Sequence, residues 1–360
     1  MRTTQFKFSQ KSDSDFHKVL KQRINDFFKQ QKLSKYGGFA MLFKAAVMLG
    51  LYFVPFVLFL VFDFHIVLQL FLWFIMGIGM AGIGLSVMHD ANHGAFSNIP
   101  ILNKLAGLTA NIIGGHAKLW KLQHNVLHHT FTNVIDADDD ISTSSILRFS
   151  PNHPYKKIHK YQHYFAFFLY TLMTFSWSIW ADYTQAIRFN KRGLFKQETF
   201  KKEMFNIVLW KMIYFTYLII IPIFIFNKSW WLVLLGFLIM SMVCGWILSI
   251  IFQLAHVMPN CDFPVSDENG VINNNWAIHQ LHTTCNFSQK SKLFSWYIGG
   301  LNYQIEHHLF SNICHVHYPK IAKIVKQTAS EFNLPYYDNG NFFKAMVQHY
   351  KMLKFLGNPS

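Results

Sequence analysis

The chain has 360 residues, of which 52% are hydrophobic, 18% aromatic and only 14% charged. That balance excludes an ordinary soluble domain and a disordered chain, and its long apolar runs point to lipid contact. The formal charge of +15 does not argue for nucleic acid, because no basic stripe joins a recognition module; loop asymmetry in a membrane protein accounts for it.

In chain order, residues 1–38 are polar and basic, which excludes a cleavable leader and predicts a cytoplasmic N-terminal segment. Four stretches then reach the roughly 20 apolar residues needed to cross a bilayer: 39–61, 66–88, 204–226 and 230–254. The first two are separated by a short turn around Asp63 and His65, the last two by Asn227, Lys228 and Ser229. Each pair is therefore expected to form a transmembrane hairpin. Lys228 is the sole Lys or Arg in those turns, and the remaining basic residues crowd the N-terminal, middle and C-terminal regions. The positive-inside rule then puts both termini and the middle region in the cytoplasm. Lys44 and Lys211 lie near span ends and are expected to snorkel towards water.

Residues 163–181 are almost long enough to span, but one crossing there would put the histidine-rich segments on opposite sides. They are expected, like 99–115, to lie as interfacial or partly buried helices on the cytoplasmic face. The predicted architecture is an all-α integral membrane protein. It has four transmembrane helices as two hairpins, interfacial helices and a cytoplasmic histidine-rich cap. Residues 39–325 form its membrane domain and 326–360 a cytoplasmic C-terminal tail. The four cysteines show no CxxC pair or regular spacing, so neither a disulfide framework nor a thiolate zinc site is indicated.

Eight of the nineteen histidines fall beside the spans. His89 and His93 follow the second span, and four-residue spacing puts them on one helical face. His124 and His128 repeat that spacing, and His129 adds a donor beside them. His256 follows the fourth span, and His307 and His308 lie in a segment able to return to the same place. Neutral imidazole is the commonest metal ligand near pH 7. A single HxxxH pair is more often surface or core histidine, but three clusters and His256 in one cap are not. Eight donors are too many for one ion and fit two. The donor set suits iron, zinc or copper. Asp90 stands where a zinc protease would carry glutamate, and a bis-histidine haem would sit within the helices rather than beyond their ends.

Other residues carry weaker signals. Asp136, Asp138, Asp139 and Asp140 imitate a calcium loop, but Ile141 and Leu147 stand where glycine and glutamate are required. A solvated loop is the first reading, with Asp138 and Asp140 supporting the histidines from behind as the second. Trp276, His279, Gln280, His282 and Asn286 are expected to line the cap near substrate or ligands, with His279 or His282 a possible substitute for one ligand. His315 and His317 are read as structural. Gly77, Gly79, Gly82 and Gly84 predict close helix packing.

The boxes HDANH, HNVLHH and QIEHH, in that order around two hairpins, resemble those of the membrane fatty acid desaturases, a di-iron superfamily, over residues 39–325. LNYQIEHHLF, with Gln304 where most members carry another histidine, resembles the front-end acyl desaturases. FQLAHV (252–257), WAIHQLHTTCNF (276–287) and ICHVHYP (313–319) look like the bacterial branch often labelled linoleoyl-CoA desaturases. The resemblance implies two iron ions held by His89, His93, His124, His128, His129, His256, His307 and His308, with Gln304 at or near the site. It further implies O2 as co-substrate, a fatty acyl substrate on CoA or a lipid, and a cis double bond of Δ5 or Δ6 type. A bacterial inner membrane with a cytoplasmic active site is implied as well. The HPGG haem motif of fused cytochrome b5 domains is absent, since Gly114-Gly115-His116 is not that motif, so electrons are expected from a separate ferredoxin or cytochrome b5. Related lipid hydroxylases and sphingolipid- or carotenoid-modifying oxidases are the alternatives within the superfamily, and the QIEHH form weighs against them. A membrane metal-binding or transport protein is the alternative from another class. It would need polar ligands near the bilayer midplane, where these spans have few.

Overall fold

The computed structural model describes residues 6–9, 15–141 and 146–359. Among them, four helices are long and apolar enough to cross a membrane: Gly38–Val61, Ile66–Asn92, Gln197–Phe224 and Trp230–His256. Composition dictates this, because a backbone in hydrocarbon must satisfy its hydrogen bonds within itself. The first span packs along the second as the sequence predicts, whereas the fourth packs chiefly on the second and meets the third mainly over Thr216–Phe224, near their shared turn. The ends of the spans differ from the prediction too. The second helix runs past Met88 and carries His89 on its own axis, through a π-helical stretch at Ile83–Met88. The third starts at Gln197 rather than 204, because polar Gln, Glu and Lys are good helix formers and continue the helix beyond the apolar run. The fourth reaches His256, its last helical residue.

Small residues let the spans approach closely. A Cβ on Gly79 would lie 2.6 Å from the Leu51–Tyr52 backbone of the first span, and one on Gly77 would lie 2.7 Å from the Met240 carbonyl of the fourth. At the far turns Lys228 pairs with Asp63, so the lone cation there is neutralised within the protein.

The middle region sits deeper than a helix lying flat at the interface. The helices Gln162–Thr171 and Met173–Ser176 lean on the fourth span. Thr174 Oγ1 donates to the Ser241 carbonyl at 2.5 Å, and Gly245 admits the Thr171 carbonyl. Ser241 is close to the middle of its helix, so this segment packs alongside the central part of the span before Asp182–Lys191 continues the chain.

Neither lysine expected to snorkel does so. Lys44 is 1% exposed and donates to the Trp296 carbonyl at 2.6 Å and to His315 Nε2 at 2.5 Å. Lys211, 4% exposed, donates to the Trp177 carbonyl at 2.8 Å and to the Gly114 carbonyl, and pairs with buried Asp182 at 2.5 Å. Polar partners supplied by the protein outcompete the reach to water. Lys211→Met would leave the Asp182 carboxylate buried and uncompensated, at a cost of about 3–5 kcal/mol. A large fall in the thermal unfolding midpoint of the solubilised protein is expected. The double variant Lys211→Met with Asp182→Leu should recover much of it.

Over the site end of the spans, Phe16–Gln30 packs on Tyr318–Glu331 through Phe16, Leu20, Ile24, Ile321 and Val325. Arg23 joins them by pairing with Glu331 at 2.6 Å. The helix Phe342–Leu356 falls in the part read as a tail. It packs on Gln162–Thr171, with His349 lying 2.8 Å from Tyr170 Oη and 2.9 Å from the Val257 carbonyl. All four cysteines are buried free thiols.

Candidate metal centre

Four elements deliver the eight histidines to one place. His89 ends the π-helical stretch of the second span, and His93 closes the following turn before Gly94, whose φ of 73° turns the chain away. His124 and His128 lie in a second π-helical stretch, Lys121–His128, and His129 follows it. Such wide turns re-aim side chains and concentrate at functional sites. His256 caps the fourth span, and His307 and His308 sit on the short helix Gln304–Leu309.

The rings form two sets. His89, His93, His124 and His307 can direct ligand atoms to one point, and His128, His256 and His308 to another. Within the first set His89 Nε2 and His124 Nε2 are 3.2 Å apart. In the second, ring centroids are 4.6–4.9 Å apart. His129 stands between the sets. Its Nε2 is 2.9 Å from His307 Nε2 and 3.3 Å from His124 Nε2, while its ring stacks on His308 at 4.3 Å.

This arrangement fits metal ions. The Nε2 atoms of His93, His128, His256 and His308 are buried without a protein partner, a costly condition for polar atoms. The rings face one another across the gap instead. Burial, reinforced by neighbouring histidines, holds His93, His124, His129, His307 and His308 well below the usual imidazole range. They are therefore neutral, the form that ligates metal. His128 is the contrast. Burial pushes it down, but Asp138 and Asp140 outweigh that and raise it.

The groups behind the rings aim them. His128 Nδ1 donates to Asp138 Oδ2 at 2.9 Å, and His124 Nδ1 lies 3.4 Å from Asp140 Oδ2. His256 Nδ1 faces the Thr283 carbonyl at 3.3 Å, His307 Nδ1 faces Tyr318 Oη at 3.2 Å, and His308 Nδ1 faces Gln280 Oε1 at 2.8 Å. In each case occupation of Nδ1 leaves Nε2 directed inward, the usual device for orienting a ligating imidazole.

Most of the acidic segment is therefore withdrawn from solvent, with Asp136 left exposed. Asp138 is fully buried and accepts from the Asn133 and Asp140 backbone N–H groups, while Asp139 is gripped by Arg188 and Arg192. Asp138 and Asp140 stand behind His128 and His124. His279 and His282 are not brought into either set. His279 Nε2 lies 2.9 Å from the Thr132 carbonyl, and His282 pairs with Asp262 at the surface. Gln304 is 4% exposed and its side chain faces His256. Thr132, whose Oγ1 lies 3.3 Å from His308 Nδ1, carried no sequence signal of its orienting role, and neither did Thr283 or Tyr318, because that role arises from chain crossings far apart in sequence. Asp90 stands behind His89, with Oδ1 3.8 Å from His89 Nδ1, and its Oδ2 accepts from both the backbone N–H and Nδ1 of His315, at 3.2 and 2.8 Å. This accounts for His315 as a structural residue.

Four apolar spans, the second and fourth of them ending at buried, mutually oriented imidazoles, define a membrane protein able to hold metal ions beside the spans. The chain belongs to the fatty acid desaturase family, whose model matches residues 64–340. It is 36% identical over 349 residues to the sn-1 linoleoyl-lipid 6-desaturase of Arthrospira platensis, covering 96% of this chain and 93% of that protein. It is 33% identical over 358 residues to the sn-1 linoleoyl-lipid 6-desaturase of Synechocystis, covering 98% of each. The Delta(5) fatty acid desaturase A of Dictyostelium discoideum is 31% identical over 362 residues, which span 98% of this chain and 76% of that protein.

Proposed function

We propose that this protein is an O2-dependent front-end desaturase. It sets a cis double bond between an existing double bond and the carboxyl end of an acyl chain carried on a lipid. The observation that carries the reading is the pair of inward-facing histidine sets at the ends of the second and fourth spans. The relatives named for 6- and Delta(5)-desaturation support its position preference. Two irons would be held by His89, His93, His124 and His307 on one side and by His128, His256 and His308 on the other, with His129 between them. Gln304, beside His256, would complete the second set directly or through a water.

Bound iron would supply the activation of O2 needed to remove hydrogens from two adjacent methylene carbons. The chain's own residues do the rest. Trp120 stacks on His124 at 4.5 Å, and Phe252 lies 5.1 Å from His128 and 4.8 Å from His256, so apolar rings flank the cluster and exclude water. Asp138 holds the proton on His128 Nδ1 and fixes its tautomer. The spans keep the site at the membrane surface, where an acyl chain reaches it without leaving an apolar path, and fixed geometry selects one carbon pair. Electrons come from a separate ferredoxin or cytochrome b5, drawn to the basic cap. The positive-inside distribution of Lys and Arg supports a cytoplasmic site and termini, in a bacterial inner membrane. Residues 1–38 and 326–360 then act as cytoplasmic flanks of a catalytic body at 39–325.

The test is the fatty acid profile of a host expressing the chain and fed defined acids, with double bonds located by mass spectrometry. A new cis bond on the carboxyl side of an existing one is expected. A methyl-side bond would overturn the front-end assignment, and a hydroxylated product would move the chain to the sister chemistry.

A further inference from the structure

A double bond near the carboxyl end leaves only a short run of methylenes between the reacting carbons and the group that carries the chain. On the reading proposed above, that carrier must sit beside the histidine cluster. A recess of about 470 Å³ meets this requirement, bordered by Tyr36, Asn92, His93, Asn98, Lys104 and Lys121. His93 is shared: its ring borders the recess, and its Nε2 belongs to the cluster.

The recess is cationic and borders Ala91 and Asn92 at the end of the second span. Lys104 and Lys121 are exposed, and neither is paired with an acid among the described residues. The rim is shaped by Asn103, which accepts from the Ser97 N–H at 3.1 Å and donates back to the Ser97 carbonyl. Lys104 lies on the helix Pro100–Gly107, which exposes Ile101 and Leu105 beside it, with Ile99 at its start. A short helix exposing isoleucine, leucine and lysine together is suited to the boundary between acyl chains and phosphates. The helix that exposes Ile101 and Leu105 therefore also borders, through Lys104, a polar hollow that His93 of the cluster lines.

We propose that this recess seats the phosphate of the glycerophospholipid whose acyl chain is desaturated, with Lys104 and Lys121 as its cationic partners. The inference rests on the desaturase reading for its geometry, but its test does not need turnover. The full-length enzyme in neutral nanodiscs is photolabelled with a phosphatidyl lipid bearing a photoactivatable headgroup. Labelling is expected between residues 94 and 121. It should fall at least about fivefold in the double variant K104E/K121E, and persist in K104R/K121R. In turnover assays, the double Glu variant should raise KM for phospholipid while leaving KM for a galactolipid with the same chains nearly unchanged. Labelling confined to other segments, or indifferent to charge reversal, overturns the proposal. An equal fall in kcat on both lipids at constant KM also overturns it, and marks an electron-donor contact instead. If the unaltered enzyme desaturates neither lipid, the desaturase reading fails, while the labelling result still decides the phosphate site.

Discussion

His128→Ala is expected to abolish desaturation and to lower bound iron. His128 is fully buried, stands in the second histidine set, and is the ring most firmly held from behind. Its loss removes one donor from a set of three and takes from the buried Asp138 carboxylate the ring on which it exerts its charge. Altering groups that merely orient a metal ligand costs about 10–100-fold in affinity or activity, and removing the ligand itself should exceed that range. The measurement is product yield together with iron per chain in the purified variant. Unchanged product formation would remove His128 from the ligand set.

Asp138→Asn should lower activity by about 10–100-fold while the fold survives. The amide oxygen can still accept from the Asn133 and Asp140 N–H groups, so the loop keeps its shape. What is lost is the negative charge that holds the Nδ1 proton of His128. The imidazole then becomes a poorer donor and is free to take the other tautomer. Thermal unfolding should stay close to wild type while kcat and iron affinity fall together. A variant with full activity would show that the buried acid serves the loop alone.

The sequence made the spans and the eight histidines legible because their signals are local: apolar run length, four-residue spacing and position beside a span. Those signals also set the short turns at Asp63, His65 and Asn227 to Ser229, but not the packing of the fourth span chiefly on the second. What stayed illegible depends on distant parts of the chain meeting. Lys211 looks like a snorkelling residue until the Trp177 carbonyl and Asp182 arrive from the middle region. Asp138 and Asp139 look solvated until Arg188 and Arg192 cover Asp139 and His128 covers Asp138. The wide helical turns before His89 and around His124 left no mark in the spacing, because four residues remain near one face in either kind of helix. The packing of the segment 163–181 left no local mark either, since it rests on the meeting of Thr174 with Ser241 and of Thr171 with Gly245 in the fourth span.

Metal analysis of the purified protein tests the paired centre most directly. The arrangement of His89, His93, His124 and His307 against His128, His256 and His308 predicts two irons per chain in the wild type, with loss of iron in His256→Ala as well as in His89→Ala. A protein that carries a single iron, or that desaturates fully with neither histidine, would contradict the account.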